Sequence, residues 1–322
     1  MQAGYDSEAL TDFLSKTVEE RGGEKTMKAG RVITRRDFLR GTVYSAFAAS
    51  AGLGFPKKAR AEEKVKVVLV RNENVLDRQG RIHQEILEQM LDQGVGTLLG
   101  EENPLQAWKS LFKPNDVVGI KSNEWSPLPT PRELEMAIQR RILEVGVPQK
   151  SVSIDDRGVL NNRVFQSSTA LINVRPLRTH YWSGIGGCIK NYIMFVSIPW
   201  LYHGDACSSL AKIWRKPLVK GKTRLNILSL IRTQFYGRGP HFFDRRFASN
   251  YKGILIGTDP VALDAVGARL LQLQRVAYFG EDRPLDTTPK HIYSADQTYQ
   301  LGVSDLRRID IARLGWMEGA LI

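Results

Sequence analysis

The chain has 322 residues and carries 46 Lys and Arg against 34 Asp and Glu, a formal net charge of +12. Its hydrophobic fraction of 42% and charged fraction of 25% are those of a globular protein, which argues against a disordered, collagen-like or disulfide-scaffold chain. No apolar run of about 18 residues occurs, which argues against a stable membrane span. The positive charge favours an anionic partner.

The first 61 residues combine three features of an export signal. A twin arginine lies within Thr34–Arg40, a short and mildly apolar stretch covers Gly41–Phe55, and Ala59-Arg60-Ala61 has the small-x-small pattern of a cleavage site. This order resembles a twin-arginine translocation signal. The resemblance implies a periplasmic or otherwise exported protein that meets the twin-arginine machinery already folded and is cleaved near Ala61. The alternative is a helix start with chance arginines.

Residues 62–322 are then the mature chain, which we expect to form an α/β domain with 35 Lys and Arg, 27 Asp and Glu and a net charge of +8. Both cysteines, Cys188 and Cys207, lie in it. Two thiolates do not hold an iron–sulfur cluster by themselves, so none is expected from this chain alone. A disulfide and two separate buried thiols both remain open.

Strand and helix patterns alternate along the mature chain, with no assignment made for Tyr192–Gly221. The expected strands are Lys64–Val70, Asp116–Lys121, Ser151–Asp155, Leu171–Val174, Leu225–Ile231 and Gly253–Gly257. The expected helices are Arg81–Leu91, ending at Gly94 and Gly96, then Pro131–Val145 and Pro260–Leu273. This alternation predicts an α/β fold with a mixed, mostly parallel sheet flanked by helices, in one lobe or two.

Polar residues close several of these strands. Ligands of such sheets gather at the carboxyl ends of the strands, so these residues are candidates for a binding site. They are Lys121, Asn123, Asp155, Asp156, Arg178, His180 and Asp259.

A glycine-rich segment follows the fourth expected strand. We expect a loop at Gly184, Gly186 and Gly187 that leads into a helix, so that backbone N–H groups converge on an anion. Lys190 would lie one turn into that helix, and His180 would act as an acid/base or a metal ligand. A tight turn with a solvated lysine and a packed histidine is the alternative.

Several segments between Val65 and Ile311 resemble the bacterial and archaeal family catalogued as domain of unknown function 362. They are Val118–Asn123, Ile172–His180, Gly184–Asn191 and Gly257–Ala265, with Thr179-His180 followed ten residues later by Lys190-Asn191 as the most specific part. Lys121, Asn123, Arg178 and Asn191, which lie in these segments, are expected to bind the ligand. Arg175 and Arg178 stand where the family usually has lysines.

The histidine, glycines and lysine also look like the site of nickel-pincer lactate racemases. That similarity implies a covalently held cofactor on Lys190, with His180 beside it. It rests on one segment, and an analogy of this kind does not establish function.

Asp259 and Asp264 are candidates for a divalent cation such as Mg²⁺. The alternative for Asp259 is a helix N-cap before Pro260, and the alternative for Asp155 is a strand-end turn. The other histidines are expected on the surface (His83), in loops (His203, His241) and at the periphery (His291).

Two classes of function follow. The first is an exported enzyme that binds a small anionic molecule or cofactor, with His180 and Lys190 in catalytic roles. The second is a non-catalytic protein that binds a ligand, a metal or a redox partner. Nucleic acid is not expected as a partner, because the basic residues are dispersed and no recognised motif occurs. The apolar stretch Tyr192–Trp200 suits either a core segment or a peripheral membrane contact.

Overall fold

A computed structural model describes residues 64–239 and 242–322, so the predicted signal segment and His241 lie outside the described residues. The strands are β1 (Val65–Arg71), β2 (Val118–Lys121), β3 (Val152–Asp155), β4 (Ala170–His180), β5 (Gly184–Gly186), β6 (Thr223–Gln234), β7 (Ala248–Ser249), β8 (Gly253–Gly257) and β9 (Ile309–Gly315). The helices are α1 (Gln84–Leu99), α2 (Pro104–Leu111), α3 (Arg132–Val145), α4 (Arg163–Gln166), α5 (Cys188–Asn191), α6 (Pro260–Phe279) and α7 (Lys290–Gln297).

Within the described residues, the strands form one mixed sheet in the order β3-β2-β4-β6-β8-β1-β9, with β5 on β4 and β7 on β6. Strands β3, β2, β4 and β6 run parallel, and β9 runs parallel to β1. Strand β8 is antiparallel to both neighbours, because no crossover helix separates it from β6. The predicted α/β class with a mixed, mostly parallel sheet is therefore confirmed.

The two faces of the sheet are covered by different helices. Val68 and Val70 of β1 point into a core with α1, α2 and α3, whereas Val67 and Leu69 point into a second core with α5, α6 and α7. This split follows from the two-residue period of a strand, which sends successive side chains to opposite faces. The buried strands consequently have nearly continuous apolar sequences, as strands covered on both faces do.

Several elements differ from the sequence prediction. Helix α1 continues through both glycines to Leu99, because Gly94 lies against Ile256 and Val70 of the sheet. Strand β4 runs to His180 and not to Val174, because β6 and β5 pair with its second half. Strand β9 and helices α2 and α7 were not predicted, and Tyr192–Gly221 contains short 3-10 helices.

Both cysteines are free, buried thiols, which is the second of the two alternatives that the sequence left open. In the part of the chain that the structure describes, no helix is both long enough and apolar enough to cross a bilayer.

The close approach of α1 to the sheet predicts that Gly94→Ala destabilises the protein. Alanine favours a helix by about 1 kcal/mol, but its Cβ would overlap the Ile256 side chain, and overpacking of this kind costs about 1–3 kcal/mol. Urea unfolding of residues 62–322 measures the change. The matched control is Gln93→Ala at the exposed neighbouring position, which should change stability by less than about 0.5 kcal/mol. Equal stability of the two variants would contradict the packing argument.

Candidate functional site

The second half of β4 extends beyond the carboxyl ends of β2 and β3, which stop beside Asn173 in the register of the sheet. This extension carries Arg175 and the two residues predicted from the sequence to lie at a strand end, Arg178 and His180. It folds back as a hairpin, so that β5 pairs with it and α5 follows directly. Lys190, which lies in α5, thereby belongs to the same edge of the sheet.

The glycine-rich segment is a strand and not the expected loop. Gly184 lies opposite His180 and Gly186 lies opposite Arg178 in the antiparallel pairing. Gly184 has a left-handed φ of 76° and packs against the backbone of Thr287, so a side chain does not fit there. These glycines therefore allow tight packing of the hairpin.

An anion does meet the first N–H groups of α5, but it is a carboxylate of the protein itself. Asp264 of α6 accepts hydrogen bonds from the backbone N–H groups of Cys188 (2.5 Å) and Ile189 (3.0 Å). A Cβ on Gly187 would overlap this carboxylate, which explains the glycine. Burial raises the pKa of Asp264 to about 7, although the two N–H donors oppose the shift.

Lys121 is neutralised by a neighbour. Its side chain is 0% exposed, and its Nζ lies 2.5 Å from Asp156 Oδ1 and 2.6 Å from the carbonyl oxygen of Ser122. Burial acts to raise the pKa of the Asp156 carboxyl, but the charge of Lys121 and its hydrogen bond outweigh it and hold that pKa below its ordinary value. Asp156 is thus the acidic partner of this strand end.

Asp155, the neighbouring candidate, turns away from this ion pair. Its carboxylate accepts hydrogen bonds from the backbone N–H of Gly158 (2.7 Å) and from Asn162 Nδ2 (2.9 Å). These bonds are those of a turn that closes the end of β3. The ligand-binding role predicted for Asp155 has no further support in these contacts.

Asn191 belongs to a chain of buried amides that links β2, β4 and β6. Its Nδ2 donates to Asn173 Oδ1 (2.8 Å) and to the carbonyl oxygens of Lys121 (3.1 Å) and Val174 (3.2 Å). Asn173 in turn donates to Asn226 Oδ1 at 3.0 Å. These bonds link the strand ends and α5, although the Asn191 Oδ1 is buried without a partner among the described residues.

Two buried guanidiniums lie beyond this network. Arg178 donates to Asn123 Oδ1 (2.7 Å) and to the Leu128 carbonyl oxygen (2.5 Å), and Arg175 donates to the Gly187 carbonyl oxygen (3.1 Å). Burial lowers the pKa of Arg178 to about 9, so that it stays charged at neutral pH. Both groups are bonded to carbonyl or amide oxygens of the described residues and not to carboxylates, which leaves the site positively charged.

Lys190 differs from Lys121. Its side chain is 5% exposed, and its Nζ has no hydrogen-bond partner among the described residues. Burial is the main cause that lowers the pKa of the amine to about 8; the Cys207 thiol opposes this shift, and the charges of Arg175 and Arg178 add to it. A buried, unpartnered amine beside two guanidiniums is costly, and groups of this kind cluster at functional sites, which makes Lys190 a candidate.

Three histidines lie close enough to Lys190 for its charge to act on them. Burial and then the Lys190 charge lower the pKa of His203 and of His291 to about 3, and the same causes hold the pKa of His180 well below its ordinary value. The prediction that His291 is peripheral is wrong. Helix α7 buries the face formed by His291, Ile292 and Ala295, and His291 Nε2 lies 3.9 Å from Asp264 Oδ2.

A strained turn brings Cys207 to this group. Asp205, Ala206 and Cys207 have φ values of 47°, 52° and 62°, and three successive non-glycine residues in the left-handed region are costly. The Cys207 thiol donates a hydrogen bond to the Trp182 carbonyl oxygen at 3.6 Å. Burial raises the pKa of this thiol, and the Lys190 charge opposes the shift only in part. Backbone strain of this kind concentrates at functional sites.

The carboxylates of Asp259 and Asp264 have backbone partners. Asp259 caps α6 by accepting hydrogen bonds from the backbone N–H groups of Val261 (2.7 Å) and Ala262 (3.0 Å). This is the helix N-cap that the sequence offered as the alternative to a cation site. Across residues 64–239 and 242–322, no group of three or more His, Cys, Asp or Glu is placed to hold a metal ion. The cation site proposed for this pair stays a prediction.

The predicted residues thus separate into three groups. Lys190, His180 and Arg178 meet in one buried cluster, which also contains residues that the sequence did not single out as site residues: Arg175, His203, His291 and Cys207. Asn123 supports that cluster through its hydrogen bond with Arg178, whereas Lys121 and Asn191 belong to the neighbouring hydrogen-bond network at the end of β2. Asp155 and Asp259 have local roles. Two hollows of the surface, on α3 and between α6 and the C-terminus, contain none of these residues.

The fold and the cluster describe an α/β protein with a buried cationic centre at one sheet edge. Residues 140–269 match the family model described as Domain of unknown function (DUF362), which supports the DUF362 family for this chain. The matched region includes Arg175, His180, Lys190 and Asp264. The comparisons with curated proteins and with solved structures gave no match.

The ion pair between Lys121 and Asp156 predicts a large loss of stability for Asp156→Asn. The variant leaves a fully buried ammonium without its carboxylate, which costs about 3–5 kcal/mol, as urea unfolding would measure. The double variant Lys121→Met with Asp156→Asn is the control. It removes both charges and keeps an oxygen for the N–H of Glu124, so that it should regain most of the lost stability. Additive losses would contradict a specific ion pair.

Proposed function

We propose that the protein binds a small anionic molecule or cofactor at the buried cluster around Lys190, and that Lys190 and His180 are its reactive groups. One observation carries the proposal: the Lys190 amine is buried without a hydrogen-bond partner among the described residues, beside two guanidiniums that are not paired with carboxylates. A ligand with a carboxylate or phosphate group would supply the missing acceptor and negative charge.

The charge balance of the cluster supports an anion. Lys121 is cancelled by Asp156, and Asp264 contributes only a partial negative charge near neutral pH because its pKa is about 7. Arg175, Arg178 and Lys190 remain, so the centre has an excess of positive charge in a region of low dielectric. An anion is stabilised there far more strongly than at an exposed surface.

His180 is suited to donate a proton or a hydrogen bond. Its Nδ1 accepts the backbone N–H of Trp182 at 3.2 Å, and its lowered pKa keeps the ring neutral. A neutral imidazole whose Nδ1 is an acceptor carries its proton on Nε2. The ring packs beside Tyr181 and near Trp182, whose indole is 40% exposed, so that His180 connects the cluster to the surface.

Anion binding predicts a clear effect of Lys190→Met. Loss of one charge-assisted hydrogen bond weakens binding by about 10- to 100-fold. Titration calorimetry of the mature protein with phosphate and with small mono- and dicarboxylates would measure the effect. Lys212→Met, at an exposed lysine, is the matched control and should bind like the wild type.

Equal affinity of the Lys190→Met, His180→Ala and wild-type proteins would contradict the site. Turnover of a bound anion separates an enzyme from a binding protein, since the latter retains binding with no product formed.

We also propose that the protein is exported through the twin-arginine route, on the basis of the Thr34–Arg40 motif. Changing Arg35 and Arg36 together to Lys keeps the charge but removes both guanidiniums, so we expect the uncleaved precursor to stay in the cytoplasm. Cell fractionation and the size of the product measure this. Arg31→Lys, outside the motif, should leave export unchanged; export of the double variant would disprove the route.

A further inference from the structure

We propose that Lys190 forms an imine with a small oxo acid, a carbonyl compound that also carries a carboxylate group. This inference rests on the proposed function, because it names the ligand class of the same site. It adds a covalent step that anion binding alone does not require.

The contrast between the two buried lysines carries the inference. The Lys121 Nζ has two acceptors, one of them the Asp156 carboxylate, so its donors and its charge are satisfied. The Lys190 Nζ is equally remote from solvent, yet the described residues offer it no acceptor. A lysine that served only to hold positive charge in the fold would have a partner of the first kind.

The neighbours of Lys190 favour its neutral form. Arg175 and Arg178 are themselves buried and positively charged, and their hydrogen bonds to carbonyl and amide oxygens leave that charge uncancelled. Close cations destabilise a second ammonium and leave the amine as a nucleophile. The same two guanidiniums would attract the carboxylate of the oxo acid, which would hold its carbonyl carbon near the amine.

The acid–base groups of imine formation are also present. The titrating groups that interact with the Lys190 charge are His180, His203, His291 and Cys207, and Asp264 of α6 lies beside His291. The three imidazoles are neutral, and His203 and His291 have ring nitrogens without a hydrogen-bond partner among the described residues. A neutral ring of this kind can accept a proton at one nitrogen and release one at the other. His180 and His203 both pack near the exposed Trp182 ring, at centroid distances of 6.1 Å and 4.2 Å. The proton donor and the route to solvent therefore lie on one side of the cluster.

The step balances as follows. The lone pair of Lys190 Nζ attacks the carbonyl carbon, and the C=O π electrons move to oxygen. A neutral histidine takes one proton from the nitrogen at one ring nitrogen and passes the proton of its other ring nitrogen to that oxygen, which gives a carbinolamine. The second proton of the nitrogen reaches the hydroxyl by the same relay, the C–O bond breaks, the hydroxyl leaves as water, and a C=N bond replaces the C=O bond. One amine and one carbonyl compound yield one imine and one water, without an oxidant or a reductant.

Reductive trapping tests the step. The mature wild-type protein is incubated with glyoxylate and cyanoborohydride between pH 6.5 and 9, and the carboxymethylated lysines are located by peptide mass spectrometry. We expect one dominant adduct, at Lys190. At pH 7 the neutral fraction of an amine with a pKa of about 8 exceeds that of an ordinary lysine by on the order of 100-fold. The yield should rise with pH and level off above about pH 8.

Two variants and two probes complete the design. Lys190→Arg keeps a positive charge but forms no stable imine, so the dominant adduct should disappear while circular dichroism stays that of the wild type. Lys212→Met should trap like the wild type. Propanal, which lacks the carboxylate, should label Lys190 poorly, and glycolate, which lacks the carbonyl group, should compete with glyoxylate.

The failures are distinguishable. Labelling spread over exposed lysines, with Lys190 unmodified and glycolate still bound in calorimetry, would overturn the imine and leave the proposed anion site standing. An absence of both trapping and glycolate binding would overturn the two proposals together. Because the wild-type peptide map alone decides the first result, a poorly folded variant does not weaken the test.

Discussion

The contact between Asp264 and the first N–H groups of α5 is the interaction on which the site depends. It joins the long helix α6 to a four-residue helix that is too short to be stable by itself. Gly187 makes room for the carboxylate, and His291 lies 3.9 Å from it on the other side. The position of Lys190 is set by this anchored turn, since α5 starts two residues before it.

Two buried lysines near the carboxyl ends of the parallel strands have different surroundings. At Lys121 the protein supplies the counterion, Asp156, and the carbonyl oxygen of Ser122 is a second acceptor for the ammonium group. At Lys190 the described residues supply neither counterion nor acceptor. Desolvation is unfavourable for both ammonium groups, so the second arrangement is stable only if something else offsets it or if the amine is neutral. Ligand binding and imine chemistry are the two forms of that offset proposed here.

Much of the fold could be predicted, because the signals were local. Apolar runs located six of the strands, and the Asp259-Pro260 pair marked the start of α6, where Asp259 is the N-cap. The glycines led to wrong predictions of a helix end and of a loop. In the sequence, a glycine that ends a helix cannot be told from a glycine that allows two elements to pack closely. Gly94 and Gly186 mark places where the sheet or a guanidinium lies against the backbone, and only the neighbouring chain shows this.

The sequence by itself determined the α/β class, the strand ends that bear polar residues, and the pairing of His180 with Lys190 as candidates, because each depends on residues close together in the chain. Only the tertiary structure decided which charges cancel. Asp156 meets Lys121 from the end of another strand, and Asp264 meets α5 from 75 residues away. His291 reaches the cluster from helix α7, and Cys207 reaches it from a strained turn. Burial depends on the packing of the folded chain, and the Coulomb energy depends on the distance between charges in space. Neither can be read from the spacing of residues along the sequence.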